Sequence, residues 1–581
     1  MSELWKVLRA RQQIRYPNPP RKVLAFYYGW YGNPDTSGEW LHWEGVDPAQ
    51  KAIASSTHYP QLDAYDSNDP KVLEQHCRWA CQAGVEGFIF SWWGKERPEE
   101  KPLPRLLEIA PSHRLQVCLY YEQVPEPGNL QSVLSDWEYL LKRYGSHPAY
   151  LRVAGKPVIF IYERAMGQLS LIQWAIVLET IARRFPPGVC AIADSLSKSA
   201  SRIFDGIHAY NTVGALAGKP VAQIPQIVEE HFREALQFAS TFQRIRCATL
   251  IPGYDDTKIR KPGMVAQRYE GQSYRAQWEA VWNLNPDWVL ITSFNEWHEG
   301  SEIEPSVEYG DRYLNLTAQY APRLHRLEPA PRLAPPLTAL PADAVAQLRQ
   351  CWQGKTIGIL PEPASEALFW MLDTNLPAQV LEWEQVVASG GLTPKRYHAL
   401  VYAGGESYRA SVNLTNDVDR ALQSYLRAGG RLLVMPNLPF PFFYADGKPI
   451  GSATRFGLPV AGSDHNPKAG QTGFEHPPVS DLKFFWNRAL VPLASQEPVP
   501  FPAGGDRRWR PLLRSGLGAP DEYLPLLTLR DGQGRYWGEG AGIIRYRSGA
   551  LQGATVGYVW FRLLEIPQAD LLMEAIFRLS I

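Results

Sequence analysis

Three absences narrow the possibilities before any motif is read. The 581 residues carry no excess charge, 59 Lys plus Arg against 59 Asp plus Glu, and no strongly basic stretch. No global field therefore draws the chain to nucleic acid or to an anionic membrane, and neutral partners are favoured. No window reaches the roughly 18 apolar residues of a membrane span, and the start, Met-Ser-Glu-Leu-Trp-Lys-Val-Leu-Arg-Ala-Arg, has no apolar stretch of signal-peptide length. The expectation is a cytoplasmic chain. The six cysteines, at 77, 81, 118, 190, 247 and 351, form no CxxC pair, and reduced, buried thiols are expected. His42, His58 and His298 lack HExxH spacing, so neither a metal nor an organic cofactor is read. What is abundant is aromatic: 12% of the chain, including 20 Trp, many beside Gly, Asn and His. Flat rings near polar groups suit the faces of sugars, and an aromatic-rich core is the plainer explanation.

A chain of this length exceeds one core and splits into two to four domains. Up to about residue 320, short apolar runs alternate with helical patterns, the mark of parallel βα units. Eight strands are expected at 22–28, 85–92, 116–122, 157–162, 189–194, 206–210, 247–252 and 288–294, with helices at 69–83, 130–144, 169–184, 224–241 and 273–283. Eight repeats over residues 1–321 predict a (β/α)8 TIM barrel with functional residues at the strand carboxyl ends; a Rossmann-like sheet would not usually need eight strands. Residues 322–341 are too proline-dense for helix or interior strand and read as a semi-rigid linker. In 342–581, strands at 356–360, 379–383, 398–402 and 431–435 and helices at 365–373 and 416–428 suggest a doubly wound α/β domain. Added β structure follows from about Phe484, and a closing helix at 568–579.

The densest chemistry lies at 291–305, Ile-Thr-Ser-Phe-Asn-Glu-Trp-His-Glu-Gly-Ser-Glu-Ile-Glu-Pro, directly after the last predicted strand. Glu296 and Glu299 emerge there beside Phe294, Trp297 and His298, where partial desolvation can drive two carboxyls to different pKa values, so that one donates a proton while the other accepts one. The plainer reading is a solvated loop pair or caps on the following helix. Glu302 and Glu304 fit helix-entry or ion-pair roles. Tyr28, Trp30, Trp43, Trp92 and Trp93 are candidates to stack on sugar rings, with core packing an even alternative for each taken alone. Glu122, at a predicted strand end, is a candidate sugar ligand, or a partner for Arg or Lys. Tyr254, Asp256 and Arg260 line the rim or brace it, and Tyr210 and Asn211 are similar candidates.

Three blocks carry a family signature. They are Phe26-Tyr-Tyr-Gly-Trp-Tyr-Gly-Asn-Pro with Gly38-Glu-Trp-Leu-His-Trp43; His58-Tyr-Pro-Gln-Leu-Asp-Ala-Tyr-Asp-Ser-Asn-Asp-Pro70 with Gly84-Val-Glu-Gly-Phe-Ile-Phe-Ser-Trp-Trp-Gly94; and Asn295-Glu-Trp-His-Glu-Gly-Ser-Glu-Ile-Glu-Pro305. Together with Pro252-Gly-Tyr-Asp-Asp-Thr-Lys-Ile-Arg260, they resemble glycoside hydrolase family 99, the endo-α-mannosidases and endo-α-mannanases, over about residues 22–320. The resemblance implies an uncommon mechanism. The glutamate matching Glu296 removes the proton of the sugar's own 2-hydroxyl, which closes a 1,2-anhydro ring. The one matching Glu299 protonates the leaving oxygen and then activates the water that opens the epoxide, with retention of configuration. An α-mannose ring suits this, with O2 and the leaving group both axial, whereas α-glucose places O2 wrongly. It also makes His58, Asn295 and His298 candidate sugar contacts alongside those above. The expected partner is an oligo- or polysaccharide; a non-hydrolytic glycan-binding or glycan-assembly protein and a neighbouring α-1,3-glucanase are the alternatives. After Trp93 the charged loop Gly-Lys-Glu-Arg-Pro-Glu-Glu-Lys departs from the substrate-binding segment expected of family members. The second domain resembles the glutamine amidotransferase-like domains that accompany some bacterial glycosidases, most in Gly429-Gly-Arg-Leu-Leu-Val-Met-Pro436. Its candidate elbow, Tyr402-Ala-Gly-Gly-Glu-Ser407, has no cysteine nucleophile, so the domain is expected to be structural.

Overall fold

The computed structural model describes residues 3–330, 338–438 apart from 406, 442–445, 448–451, 456, 458–460, 481–501, 509–514, 517–564, 566 and 568–581. The chain forms two compact units, Val7–Pro335 and Pro336–Ile581 together with Met1–Lys6.

In the first unit eight strands, β1 Lys22–Tyr27, β2 Gly87–Trp92, β3 Gln116–Tyr121, β4 Lys156–Ile161, β5 Cys190–Asp194, β6 Gly206–His208, β7 Ile245–Leu250 and β8 Trp288–Ile291, pair in chain order. Every neighbouring pair is parallel, β8 returns to β1, and the sheet closes into a barrel. A strand covered on both faces must be apolar throughout. Val23 to Tyr27 and Val289 to Ile291 are accordingly buried without alternation. The helices Pro70–Gln82, Leu103–Ile109, Leu130–Arg143, Leu171–Arg184, Lys198–Ile203, Ile224–Thr241, Gln272–Leu284 and Arg312–Leu324 follow the strands one by one. Their starts are chemically marked: Asp69 accepts from Lys71 N, Asn129 accepts from Ser132 N, and Ser170 with Gln173 forms a capping box. The last helix runs through Pro322 to Leu324, past the point where the sequence reads as linker. The proline-rich residues 331–337 lie outside the described residues.

A polar cluster gathers at the start of β4 and on the residue leading into β6. Asp205 is fully buried yet held below its usual range; burial opposes ionisation, and the charges of Arg11 and Lys156 and the hydroxyl of Tyr16 outweigh it. Arg11 Nη2 lies 2.6 Å from Asp205 Oδ2, and Tyr16 donates to Asp205 Oδ1 at 2.5 Å. Arg11 comes from the N-terminal helix Glu3–Gln13.

The second unit holds a nine-stranded mixed sheet. Its strands are β9 Ile357–Ile359, β10 Ala378–Val380, β11 Ala399–Tyr402, β12 Arg431–Val434, β13 Lys483–Trp486, β14 Val499–Pro500, β15 Glu522–Arg530, β16 Tyr536–Arg545 and β17 Thr555–Val559. Order runs β10-β9-β11-β12-β17, all parallel, then β16-β15-β13-β14, antiparallel. The parallel half has the doubly wound order in which the chain turns back between β9 and β11. The antiparallel half is the added β structure, and Ala569–Leu579 is the closing helix.

All six thiols are free; Cys81 and Cys351 are exposed and the other four buried. Cys81 thus does not share the burial of Cys77. Among the described residues no helix is long and apolar enough to cross a membrane.

Candidate active site

Beyond β8 the chain does not enter its helix directly. Residues 292–306 fold as a tight loop at the carboxyl end of the barrel, tied from below. Phe294 N donates to Phe26 O at 2.8 Å, and Glu296 N donates to Ser293 Oγ at 2.7 Å. Gly300 has φ +55°, and a Cβ there would stand 2.8 Å from Thr57 Oγ1 and 3.2 Å from Asp255 O, so the loop closes against its neighbours only with glycine.

The four glutamates of this loop divide by environment. Glu302 accepts from Arg268 Nη2 and meets His58 Nδ1, both at 2.8 Å. Burial opposes its ionisation, but Arg268 and His58 outweigh it and keep the carboxyl below its ordinary range. Glu304 accepts from Tyr65 Oη at 2.8 Å and Trp297 Nε1 at 3.1 Å, and meets His76 Nε2 at 3.1 Å. Both are buried braces. Glu296 and Glu299 are held differently. Glu296 Oε1 takes the backbone N–H of His298 and lies 3.1 Å from its Nδ1. Glu299 Oε1 accepts from Arg260 Nη1 at 3.0 Å, while its Oε2 is buried without a hydrogen-bond partner. Burial first, and the charge of Glu296 second, push Glu299 up to about 7; Arg260 offsets part of the rise.

Two more carboxyls sit at neighbouring strand ends. Glu122 follows β3, is 3% exposed, and accepts from Ser91 Oγ at 2.6 Å. Burial raises it to about 8 against the opposing Ser91 bond and the Arg164 charge, with Glu296 and Glu299 adding to the rise. Asp194, ending β5, accepts from Tyr120 Oη at 3.1 Å and Tyr210 N at 3.2 Å, and burial lifts it to about 7. A carboxyl that keeps its proton near neutral pH both donates and accepts, which matches the hydroxyls of a neutral sugar.

Aromatic rings gather around these groups. Trp30 stacks on His42 at 4.6 Å and 7°, lies 4.6 Å from Tyr28 and 6.0 Å from Trp93. Tyr28 donates to Tyr210 Oη at 2.6 Å, and the charges of Glu122, Glu296 and Glu299 all act on Tyr28. Tyr254 bonds Asp256 at 3.1 Å and receives Arg260 at 2.7 Å, completing the mount of Glu299.

Tyr28, Trp30, Trp93, Glu122, Tyr210, Tyr254, Glu296, His298 and Glu299 are therefore brought together, and five other candidates are placed elsewhere. Trp92 is 1% exposed. Strand side chains alternate, so Ser91 and Trp93, joined by a 2.9 Å bond, take one side, and Trp92 takes the other, stacked on Tyr121 and bonded to Glu100. Trp43, 3% exposed, lies flat on Tyr31 at 4.0 Å and donates to Tyr65 O, a support for the loop. Asn295 is fully buried; its amide clamps Tyr28 N and O at 2.8 and 2.9 Å and fixes the end of β1. His58 is engaged with Glu302. Asn211 accepts from Val213 N and starts a short helix. The charged loop after Trp93 is anchored by the buried Glu100, which takes Tyr144 at 2.8 Å and Tyr139 at 3.1 Å. Ser91 lies within the Gly84–Gly94 block without being read as a site residue, and Arg164, 5.2 Å from the Trp93 ring, belongs to no sequence motif. Only the neighbouring strand ends would have pointed to them. Among the described residues no three of His, Cys, Asp and Glu converge as a metal site requires.

A carboxylate pair with one raised member, set among aromatic rings at the carboxyl end of a (β/α)8 barrel, defines a glycoside hydrolase. The model described as "Glycosyl hydrolase family 99" matches residues 20–320, and the chain belongs to that family. It is similar to the glycoprotein endo-alpha-1,2-mannosidase of Rattus norvegicus, 27% identical over 324 residues that take up 49% of this chain and 68% of that protein. The glycoprotein endo-alpha-1,2-mannosidase-like protein of Mus musculus is 28% identical over 321 residues, 49% of this chain and 69% of that protein. Among solved structures, the GH99 endo-alpha-mannosidase of Bacteroides thetaiotaomicron is 28% identical, with a TM-score of 0.45 over 52% of this chain and 97% of that one.

Proposed function

We propose that the chain is a retaining, endo-acting α-glycoside hydrolase for mannose-configured oligo- or polysaccharides, working through a 1,2-anhydro sugar. Glu296 is the base for the 2-hydroxyl, with Oε1 occupied by His298 and Oε2 without a partner among the described residues. Glu299 is the acid, then the base for water. The observation that carries this reading is its carboxyl at about 7, near the pH at which it must both give and take a proton. Tyr28, Trp30, Trp93, Glu122, Tyr210, Tyr254 and His298 form the walls. Burying the acid is costly, and a protein that only bound glycans would gain nothing from it.

Residues 342–581, joined through the proline-rich stretch 322–341, are proposed as an amidotransferase-like accessory domain without catalysis. The doubly wound strand order supports this, as does the Ala-Gly-Gly turn after β11, where no cysteine stands.

The test compares Glu296→Gln and Glu299→Gln on α-mannosides with poor and activated leaving groups. Glu299→Gln should recover partly with the activated substrate. Glu296→Gln should stay inactive on both, and a 2-deoxy substrate should be inert with the unaltered protein. Normal hydrolysis of the 2-deoxy compound would sink the epoxide route.

A further inference from the structure

Both ring nitrogens of His298 have fixed partners, and one of them is Glu296. Its Nε2 lies 2.5 Å from the carbonyl oxygen of His42. A carbonyl can only accept, so Nε2 carries a proton in every state of the ring. Nδ1 is then the only position at which His298 gains or loses a proton, and it faces Glu296 Oε1 at 3.1 Å. The ring cannot turn away. It stacks on Tyr31 at 5.7 Å and 29° and meets the edge of Trp30 at 6.1 Å, while His42, on which the Nε2 bond depends, is itself stacked on Trp30. As imidazolium, His298 donates Nδ1–H to Glu296 Oε1, which leaves Oε2 of the carboxylate to take up a proton.

We propose that His298 is a positioning residue for Glu296: through Nδ1–H it fixes the carboxylate by Oε1 and leaves Oε2 to take the proton from the substrate. This rests on Glu296 being the base for the 2-hydroxyl. The balance is complete within the site. The O2–H bond breaks and its proton passes to Glu296; the freed O2 pair closes on C1 as the C1–leaving-oxygen bond breaks, and Glu299 protonates the leaving oxygen. Glu299 next takes a proton from water, the hydroxide attacks C1, the C1–O2 bond breaks, and O2 regains the proton kept by Glu296.

The groups that act on the ring are Glu296 and Glu299 from its own loop and His42 from the loop after β1, with Glu99 and Glu44 acting on His42 in turn. Burial works against the imidazolium, and the acidic neighbours with the His42 carbonyl outweigh it, so the His298 ring is raised above its ordinary range. His298→Gln keeps a donor for the His42 carbonyl but loses the group facing Glu296. His298→Asn keeps a donor at the Nδ1 position and loses titration and the tether. In kcat/KM against pH on an activated α-mannoside, His298→Gln should move the acid limb upward by about one pH unit or more, His298→Asn by less, with KM changed less than about twofold. A histidine that only packed would lower kcat and leave the limb in place, and that result would overturn the proposal. Imidazole 15N NMR gives an arm independent of turnover: the Nδ1 signal should shift when Glu296→Gln is introduced, and an unmoved signal would also refute the pairing. If the unaltered protein hydrolysed the 2-deoxy substrate normally, the base role of Glu296 would fail, while the NMR arm would still decide whether the two side chains are paired.

Discussion

Replacing Glu122 with Gln should make the protein more stable, and more so the higher the pH. The carboxyl is 3% exposed and raised from 4.5 to about 8, chiefly by burial. A group whose folded pKa lies above its unfolded value leaves stability intact below the unfolded pKa and removes it as pH rises through the folded one. At pH 7 the folded protein holds a proton that the unfolded chain has released about 2.5 pH units earlier, a cost of about 3 kcal/mol at 1.36 kcal/mol per unit. At pH 5 the same arithmetic gives less than about 1 kcal/mol. Gln has nearly the same shape, keeps an oxygen to accept from Ser91, and has no proton to account for.

The assay is denaturant or thermal unfolding of both proteins at pH 5, 7 and 8. The difference should be small at pH 5 and reach about 3 kcal/mol by pH 7, a rise of several degrees in Tm. Glu299 and Asp194, also raised, give both proteins a residual loss of the same sign toward alkaline pH. Asp205 and Glu302, held low, act oppositely, losing stability only as pH falls through their depressed pKa values. An increment independent of pH, or a variant weaker at pH 8, would refute the reasoning. Because the protonated carboxyl is the group proposed to meet a sugar hydroxyl, the same variant should bind substrate less well. A residue that costs stability where it serves function shows this trade.

Arg260→Met removes a cation that holds Glu299 down, so the alkaline limb of kcat/KM should move to higher pH; an unmoved limb would assign that limb to another group. Trp93→Ala should raise KM with little effect on Tm, whereas Trp92→Ala, which empties a buried site beside Tyr121, should cost about 3 to 5 kcal/mol of stability, read by denaturant unfolding. Equal effects of the two would contradict their placement on opposite sides of β2.

How much of this was readable in the sequence depends on how far apart the cooperating residues lie. The barrel was legible because a parallel strand buried on both faces is an unbroken apolar run, and each of the eight runs became a strand within a few residues. The same feature hid the facing of Trp92 and Trp93, since Gly-Phe-Ile-Phe-Ser-Trp-Trp has no alternation from which to tell one face from the other. The helices Leu103–Ile109 and Lys198–Ile203, of 7 and 6 residues, are too short for a helical period to declare itself. Glu296 and Glu299 were legible because they share one short segment with their aromatic neighbours. The clamp of Asn295 on Tyr28 spans 267 positions and the pair of Arg11 with Asp205 spans 194; no local pattern marks either.

The loop of four glutamates shows why residue type alone could not assign the roles. All four are acidic and lie within nine positions, from 296 to 304, so composition and spacing treat them alike. Burial penalises every carboxylate, and the outcome turns on what compensates it. Glu302 has a guanidinium and an imidazole, and is held ionised; Glu304 is fixed by Tyr65, Trp297 and His76. Glu299 has Arg260, half-exposed and shared with Asp256, and the Tyr254 hydroxyl, set against its own burial and the charge of Glu296. Its proton is therefore held loosely enough to move near neutral pH. Glu302 and Glu304, tied to Arg268, His58, Tyr65, Trp297 and His76, brace the loop, and that bracing lets Glu299 remain buried. The acid chemistry proposed for Glu299 is thus a property of the whole segment, including the bracing carboxyls Glu302 and Glu304.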